Sequence, residues 1–532
     1  MENTITINRW ITTTSSIWIQ STTGGSYAFS IYSPSLKSSQ FYSQSTLDTI
    51  SVFKDIGANA GLLSGLLYAA SVRRPWVVHA AGAAQCFVGY FVMWLAVVGV
   101  FPPLPVWVMC LAMFLAAHAQ TFFNTGNVVT GVRNFGGYSG TIVGIMKGFL
   151  GLSGAILIQF YQALFDGNPS TFLLILALLP TVVSLLLMCM VTVSPGSTVD
   201  DKKHLNSFSI VALVLAAYLM VIIISQNIFV FPKWAHLVTF GFLLLLILSP
   251  LIIAVKATRE EKYQAQHTDR DPLVSSINPD EPEKFAGDKD GSFDTVPSTS
   301  DSSLSAGESL NIIEAMQSVN FWLLFVAMSC GMGSGLATIN NMSQIGQSFG
   351  YGTTKINTLV SLWSIWNFLG RFGAGYISDI LLRQYGWPRP LLMAITLAAM
   401  AGGHVIIASG LVGNLYIGTI LVGICYGSQW SLMPTITSEI FGVLHMGTIF
   451  NTISIASPVG TYILSVWIIG YIYDKEAGED SSCFGAHCFM VSFCILAFVS
   501  FLGFVISLIL FFRTRAFYNS VVLRRLRHSV RL

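Results

Sequence analysis

The chain alternates long apolar runs with short polar connections, and it contains one long polar stretch at residues 257–318. That stretch carries thirteen of the twenty-five carboxylates against five Lys and Arg, with four Pro and a Ser-rich run. Such a composition buries too little apolar surface to offset the entropy lost on ordering, so we predict a disordered linker. The apolar runs on either side have the length of membrane-spanning helices.

We predict about fourteen spans in a pattern of six, two and six, and therefore an all-α polytopic membrane protein. The predicted spans are residues 9–33, 49–70, 76–99, 105–131, 140–164, 171–193, 208–231, 235–256, 319–346, 355–381, 390–410, 412–435, 448–472 and 488–512. The predicted parts are a six-helix bundle (1–195), two additional helices (196–256), an acidic cytoplasmic linker (257–318), a second six-helix bundle (319–512) and a basic cytoplasmic tail (513–532).

Composition and charge support a membrane protein with both termini in the cytoplasm. The chain is 53% hydrophobic and only 10% charged, far from the average of soluble proteins. With a cytoplasmic N-terminus, twenty of the 27 Lys and Arg lie on the cytoplasmic side, where basic residues near span ends are retained. The pattern leaves open the plasma membrane or an endomembrane such as the vacuolar one. The Arg-rich tail is interpreted as a topology anchor or as a segment lying on an anionic leaflet.

The sequence favours neither an enzyme nor a metalloprotein. The eight Cys form no CxxC pair, and no GxSxG, HExxH or Walker motif occurs. We therefore expect no catalytic residue, metal, cofactor or nucleic-acid partner. Cys483 and Cys488 lie close together in a loop on the predicted outer side, where either a disulfide or a free pair is chemically permitted.

A local motif carries a first resemblance. The stretch GRFGAGYISD at 370–379, followed by Arg383, resembles the G-x-x-x-D loop signature of the major facilitator superfamily. The resemblance implies a two-bundle fold in which the halves rock against each other. It also implies a gate made by Gly375, Asp379 and Arg383, in which the Asp holds one conformation shut. The corresponding stretch of the first half has Ala69 in place of the Asp.

A closer resemblance covers most of the first 195 residues. These residues are similar to the plant nodulin-like proteins, including those related to the nuclear-fusion-defective-four protein. The runs that carry it are YAFSIYSPSLKSS, VFKDIGANAGLLSGL, AQTFFNTGNVVTGVRNF, GIMKGFLGLSGAI and LLPTVVSLLLM. The second half resembles the more general transporter portion of that family. A weaker similarity reaches the oxalate/formate and monocarboxylate transporters, which place an Asp and a carboxylate-binding Arg where this chain has Asn367 and Arg371.

Polar side chains share helical faces on the first and fourth spans of each half. The superfamily resemblance implies that these helices line a central cavity. The candidates are Gln20, Tyr27, Gln120, Asn124, Asn127, Ser334, Thr338, Asn341, Tyr426 and Trp430. The alternative is that amides and hydroxyls hold neighbouring helices together, each contributing roughly 0.6 to 2 kcal/mol.

A few ionisable residues lie inside the predicted spans, where each costs roughly 2.5 to 3.5 kcal/mol at a helix centre. Arg371 is a candidate anion ligand because guanidinium binds carboxylate in a bidentate manner, and Lys147 is a second candidate. Arg371 is alternatively a partner of Asp379. Asp55 and His118 are candidates for uptake of a coupling proton.

These features predict a secondary active transporter that moves a small polar solute or organic anion across a lipid bilayer by alternating access. A proton is the candidate coupling ion. The alternative function is a receptor or scaffold of transporter fold, in which the linker or the tail recruits partners.

Overall fold

The computed structural model describes residues 8–165, 169–194, 201–268, 309–411, 413–477 and 483–524, and almost all of them are helical. The helices up to the linker are α1 (Arg9–Thr22), α2 (Phe29–Gln40), α3 (Gln44–Asn59), α4 (Leu62–Ala70), α5 (Trp76–Val98), α6 (Val106–Asn134), α7 (Ser139–Leu164), α8 (Pro169–Leu187), α9 (Asp201–Ile228) and α10 (Lys233–Thr268). A 3-10 turn, Gly25–Ala28, joins α1 to α2.

The second half repeats this pattern with more breaks. Its helices are α11 (Ile312–Gln317), α12 (Val319–Asn340), α13 (Met342–Ser348), α14 (Thr353–Tyr385), α15 (Arg389–Ala408), α16 (Asn414–Ile440), α17 (Met446–Ser454), α18 (Ala456–Thr461), α19 (Tyr471–Ala477) and α20 (His487–Phe517). The stretch Tyr462–Gly470 between α18 and α19 is a π-helix, and a second π-helical stretch, Tyr518–Val522, follows α20.

In the described residues, ten helices are long and apolar enough to span a membrane, so the predicted count of fourteen is not confirmed. The other four predicted spans are present as helices that are broken or polar. The first is interrupted after Thr22 and the second between Asn59 and Leu62. Helices α14 and α16 are continuous but carry polar side chains along their length. All four contribute to the cavity described below, which explains their low hydropathy.

The two additional helices, α9 and α10, pack against α1 through polar contacts. Arg9 at the start of α1 lies 2.7 Å from an oxygen of Asp201 on α9 and 2.5 Å from one of Glu261 on α10. The indole nitrogen of Trp18 donates to the carbonyl of Ile247 on α10 at 2.7 Å. The pair is therefore joined to the rest of the first half by buried and half-buried polar bonds as well as by apolar packing.

Described helix extends into both ends of the predicted linker. Helix α10 continues to Thr268, and Glu260 and Glu261 in its last turns take part in ion pairs. After the linker, Asn311 and Glu314 form a capping box that starts α11. Residues 269–308, most of the predicted linker, lie outside the described residues.

At one end of the molecule, Cys483 in the loop before α20 and Cys488 at the start of α20 form a disulfide. Cys483 is also bound through its carbonyl, which accepts from Ser348 at 2.8 Å. At the other end, the predicted tail begins as helix: Tyr518 is fully buried and donates to Glu439 at 2.7 Å. Residues 525–532 lie outside the described residues.

The two halves meet at two helix crossings, α7 with α14 and α4 with α17. Glycines permit both close approaches. A Cβ at Gly144 on α7 would lie 3.0 Å from the carbonyl oxygen of Phe372 on α14. A Cβ at Gly65 on α4 would collide with the backbone of Thr448 on α17. The halves therefore touch backbone to backbone at one end of the bundle, which we call the gate end.

Candidate functional site

A cavity of about 420 Å³ lies between the two halves. The first half contributes the 3-10 turn after α1 together with α3, α6 and α7, and the second half contributes α12, α14, α16 and α17. The cavity extends from Arg371, near the middle of α14, toward Asn340 at the far end of α12. It thus leads away from the gate end. We call it the central cavity.

Two buried cations face each other across the central cavity. Lys147 on α7 is 1% exposed and so is Arg371 on α14. The ammonium nitrogen of Lys147 lies 5.0 Å from the ring centroid of Trp430, and the guanidinium carbon of Arg371 lies 5.6 Å from the same ring. Within the described part of the chain, neither side chain has a carboxylate at ion-pair distance. The indole ring of Trp430 therefore contacts two cationic side chains, one from each half.

Neutral groups hold Arg371 in place. Its Nε donates to Asn367 Oδ1 at 2.9 Å, one turn earlier on α14. One terminal nitrogen donates to the backbone carbonyl of Lys147 at 3.1 Å, across the interface of the halves. The other donates to the hydroxyl of Tyr27 at 3.3 Å. Since all three acceptors are neutral, the positive charge of the guanidinium remains uncompensated.

Amide side chains cover much of the remaining polar wall, and their oxygens are occupied. Gln120 Oε1 accepts from Ser26 at 2.5 Å, and Asn124 Oδ1 accepts from Gln20 at 3.5 Å. Asn367 Oδ1 accepts from Arg371. The amide nitrogens of Gln120, Asn124 and Asn367 have no acceptor among the described residues. The wall thus offers hydrogen-bond donors to an occupant.

Asp55, a candidate proton acceptor, lines the cavity and is ion-paired. Its carboxylate lies 3.2 Å from the ammonium of Lys54, although neighbouring residues on a helix point about 100° apart. The long Lys side chain bridges that angle. Asp55 remains about one-third exposed, at 31% of its side chain. Its charge is neutralised by Lys54 and not by either buried cation.

At the gate end, Asp379 joins the second half to the start of α7 in the first half, and its predicted role as a gate stays a prediction. Asp379 Oδ1 accepts from the backbone N–H of Gly140, and Oδ2 accepts from that of Thr141, at 3.1 and 2.6 Å. Arg389 donates to Oδ1 at 2.7 Å. Arg383 donates to the backbone carbonyl of Gly137 and lies over the ring of Tyr138, 3.8 Å from its centroid.

The gate contact also rests on small residues. Gly375 lies one turn before Asp379, and a Cβ there would collide with the carbonyl oxygen of Gly140. This close approach brings Asp379 to the first turn of α7, where free N–H groups and the helix dipole favour a negative charge. The buried Arg389 is in turn paired with Glu439 at 2.7 Å. The gate is thus a connected ionic network across the two halves.

The second crossing at the gate end, α4 with α17, uses neutral polar contacts. Asn451 Nδ2 on α17 donates to Thr125 Oγ1 at 2.7 Å, and Ser64 lies 2.8 Å from the same hydroxyl. Ala69 occupies the position that Asp379 has in the other half, so this crossing lacks the equivalent carboxylate.

Nine of the predicted site residues line the central cavity, and they come from both halves. They are Tyr27, Asp55, Gln120, Asn124, Lys147, Asn367, Arg371, Tyr426 and Trp430. Their role in binding or coupling stays a prediction.

Six other predicted residues lie outside the wall of the cavity: Gln20, His118, Asn127, Ser334, Thr338 and Asn341. Ser334 and Thr338 instead point toward α15 and α20, because Thr338 lies 3.2 Å from His404 and Ser334 lies 3.1 Å from Ser500. His118 contacts the carbonyl of Ala60 at 3.0 Å, at the break between α3 and α4.

Asn341 bonds to the π-helical stretch through Ser465, at 2.8 Å. Gln20 supports Asn124 from behind, and Asn127 is fully buried. For Gln20, Ser334, Thr338 and Asn341 the structure shows the helix-to-helix contacts that were the alternative to cavity lining.

Sequence reasoning missed several polar residues of the wall. Ser26, Asn59 and Asn340 sit at or near helix breaks, which hydropathy does not locate. Asn451 lies in a span where no other candidate was singled out. The one available signal was spacing, since Asn59 lies one turn after Asp55 on α3.

Known proteins resemble the chain over nearly its whole length. Residues 9–255 match the Nodulin-like family, and residues 307–520 match the NFD4, C-terminal domain family. The Protein NUCLEAR FUSION DEFECTIVE 4 of Arabidopsis thaliana is 27% identical over 96% of this chain and 90% of its own length. The Probable transporter MCH1 of Yarrowia lipolytica is 28% identical over 26% of this chain and 31% of its own.

The fold also matches a solved transporter. The proton:xylose symporter XylE of the major facilitator superfamily superposes with a TM-score of 0.53 at 10% identity, covering 93% of this chain and 94% of that one. At this identity the likeness concerns the fold alone. The two matched halves, the plant relative and the major facilitator fold agree: the chain belongs to the nodulin-like family and carries an NFD4-type C-terminal domain.

Proposed function

We propose that the protein is a secondary active transporter that carries a small organic anion through the central cavity by alternating access. The observation that carries the proposal is the pair Lys147 and Arg371, buried between the halves with no carboxylate partner in the described chain. Buried charges are normally paired, because an isolated one loses its hydration without compensation. An anionic solute supplies the missing partner, and guanidinium suits a carboxylate in particular.

The relatives support transport as the general activity. MCH1 is described as a probable transporter, and XylE is a proton symporter of the same fold. The structure has the two features that alternating access needs, a cavity between two halves and a closed contact at one end of them. Rocking of the halves would separate Asp379 from Gly140 and Thr141 and open the cavity at the gate end.

We infer that the gate end faces the cytoplasm. Arg9, Arg383 and Arg389 lie at this end, and basic residues concentrate on the cytoplasmic side of membrane proteins. The disulfide between Cys483 and Cys488 then lies on the non-cytoplasmic side, where disulfides persist. In this orientation the cavity takes up solute from outside the cytoplasm.

A coupling proton has two candidate positions. Asp55 faces the cavity, so a change in its charge is felt directly by an occupant. His118 lies instead against the α3–α4 break, and its other ring nitrogen contacts Gln85 at 2.7 Å. We propose Asp55 as the acceptor, because it is the one of the two that an entering solute can reach.

The test is uptake into proteoliposomes that contain the purified full chain. Radiolabelled organic acids, sugars and amino acids are supplied with and without a pH gradient to wild type, Arg371→Gln and Arg371→Ala. Lys355→Gln is the matched control, since Lys355 is an exposed cation on the same helix. We expect saturable uptake of an acid by wild type and the control, and its loss in both Arg371 variants.

Other outcomes contradict the proposal in different ways. Uptake of a neutral solute that ignores the Arg371 substitutions would retain a transporter and remove the anion site. No flux for any solute would favour the receptor or scaffold function, for which deletion of residues 269–308 should abolish partner binding.

A further inference from the structure

We propose that the central cavity selects a solute with two acid groups, one held by Lys147 and the other by Arg371. A small dicarboxylate is the simplest solute of this class. The inference rests on the proposed function and narrows its substrate class. These two cations carry the inference, because no other feature of the cavity wall calls for a solute with two negative charges.

The charge balance of the cavity favours a dianion. Four side chains that can carry a charge reach its wall: Lys54, Asp55, Lys147 and Arg371. Lys54 and Asp55 pair with each other at 3.2 Å, which leaves Lys147 and Arg371 as the two groups that can present a positive charge to an occupant. A monoanion would compensate one of them and leave the other buried and unpaired, whereas a dianion compensates both.

The geometry allows one small molecule to reach both cations. The charged groups of Lys147 and Arg371 lie 5.0 and 5.6 Å from the centroid of the same Trp430 ring, so their separation cannot exceed the sum of these distances. A linear four- to six-carbon dicarboxylate spans a gap of this order. Its methylene groups would lie along the indole, which suits an apolar chain between two charged ends.

Hydrogen-bond donors complete the site. The amide nitrogens of Gln120, Asn124 and Asn367 have no acceptor among the described residues. Each carboxylate oxygen accepts more than one hydrogen bond, so a dianion uses many donors.

Because Lys147 belongs to the first half and Arg371 to the second, the two ends of the solute would bind opposite halves. A dianion therefore contributes to holding the halves together around itself, whereas a monoanion engages only one half fully. We therefore expect the protein to select solutes by their number of negative charges, with Lys147 as the specificity-determining residue.

The experiment compares each diacid with its own monomethyl ester, which has nearly the same size and one charge fewer. Malonate, succinate, glutarate and adipate are supplied to proteoliposomes at neutral pH, where both carboxyl groups are ionised. Radiolabelled diacid uptake and competition by the ester are measured for wild type, Lys147→Gln and Lys147→Arg. Lys355→Gln again serves as the control.

For wild type we expect at least one diacid of the series to be preferred over its ester about tenfold or more, which corresponds to one well-formed charged contact. In Lys147→Gln the preference should vanish, because the affinity for the diacid falls more than the affinity for the competing ester. Lys147→Arg restores the charge and should retain a preference for the diacid, which separates a charge effect from misfolding.

The possible failures are distinguishable. Equal handling of diacids and esters by wild type, with uptake still lost in Arg371→Gln, would overturn the dianion site and leave an anion carrier. An unchanged preference in Lys147→Gln would also overturn it. Absence of saturable uptake for every acid would overturn the proposed function and this inference together.

Discussion

Asp379 caps a helix that belongs to the other half of the molecule: its Oδ2 accepts from both the backbone N–H and the hydroxyl of Thr141, each at 2.6 Å. The two residues are 238 positions apart in the chain. The local residue at the start of α7, Tyr138, provides no side-chain cap. Asp379 thus satisfies backbone groups that the sequence around α7 leaves open, and the end of the cavity is closed by this bond.

Asp379→Asn should loosen the gate end. The substitution keeps the shape of the side chain but removes the charge that pairs with Arg389 and binds the α7 terminus. We expect the free energy of unfolding to fall by about 2 to 4 kcal/mol. The melting temperature should fall with it, and amide hydrogen exchange at 139–145 should become faster. Exchange at 446–450, the start of α17, serves as the internal control. Unchanged exchange at 139–145 would show that the cap does not hold the gate.

Gly375→Ala should disturb the same contact sterically. The new Cβ would collide with the carbonyl oxygen of Gly140, and backbone atoms cannot move aside as a side chain can. We expect a cost of about 1 to 3 kcal/mol, measured as a lower melting temperature. Gly373→Ala is the matched control on the same helix, since no atom lies within 4 Å of its Cβ position. It should be neutral or stabilising by up to about 1 kcal/mol. Equal effects of the two variants would argue against close packing at Gly375.

Arg9→Ala should weaken the attachment of α9 and α10. It removes the contacts of Arg9 with Asp201 and Glu261, and Asp201 is only 5% exposed in its side chain. Breaking a buried ion pair of this kind costs about 3 to 5 kcal/mol. Lys203 pairs with Glu260, and its side chain is 56% exposed. We expect Lys203→Ala to lower the free energy of unfolding by less than about 1 kcal/mol. Both effects are measured as shifts in the melting temperature of the purified variants. Similar shifts for the two variants would contradict the expectation that the buried ion pair contributes more to stability.

Tyr27→Phe should reduce anion affinity without abolishing transport. The hydroxyl accepts one bond of 3.3 Å from Arg371, while two shorter bonds keep the guanidinium in place. We expect KM for the transported acid to rise about two- to tenfold, as one weak hydrogen bond implies. Tyr462→Phe is the control, because Tyr462 is exposed on the π-helical stretch. A loss as large as that in Arg371→Gln would mean that Tyr27 does more than position Arg371.

The arrangement in two halves with two extra helices was predictable because apolar runs of membrane length are a strong signal. The positions of helix breaks were not. The first span was predicted as one helix over residues 9–33, yet it is interrupted between Thr22 and Gly25. The second is interrupted between Asn59 and Leu62. A break exposes backbone groups that only a neighbouring helix or the cavity can satisfy, and the sequence does not show that neighbour.

The central cavity was predictable in part, for a similar reason. Periodicity places Ser334 and Thr338 on one face of α12, but it does not tell which neighbour the face meets. His404 and Ser500 provide that neighbour. Arg371 was easier to identify, because a buried guanidinium is costly enough to require a role. Arg371 and Lys147 both contact Trp430, although the three residues lie on different helices. Spacing within one helix could not predict that contact.

The two crossings between the halves differ in chemistry although both lie at the gate end: α7 and α14 are joined by the ionic network of Asp379, and α4 and α17 by the neutral bonds of Asn451. In the proposed cycle both crossings part together when the gate end opens. Parting α7 from α14 separates buried charges, whereas parting α4 from α17 breaks neutral hydrogen bonds, so we expect the ionic crossing to set most of the cost of opening. The Asp379 network would therefore govern how fast the empty protein turns over, while the gradients of the solute and of any coupling ion set the direction of net flux.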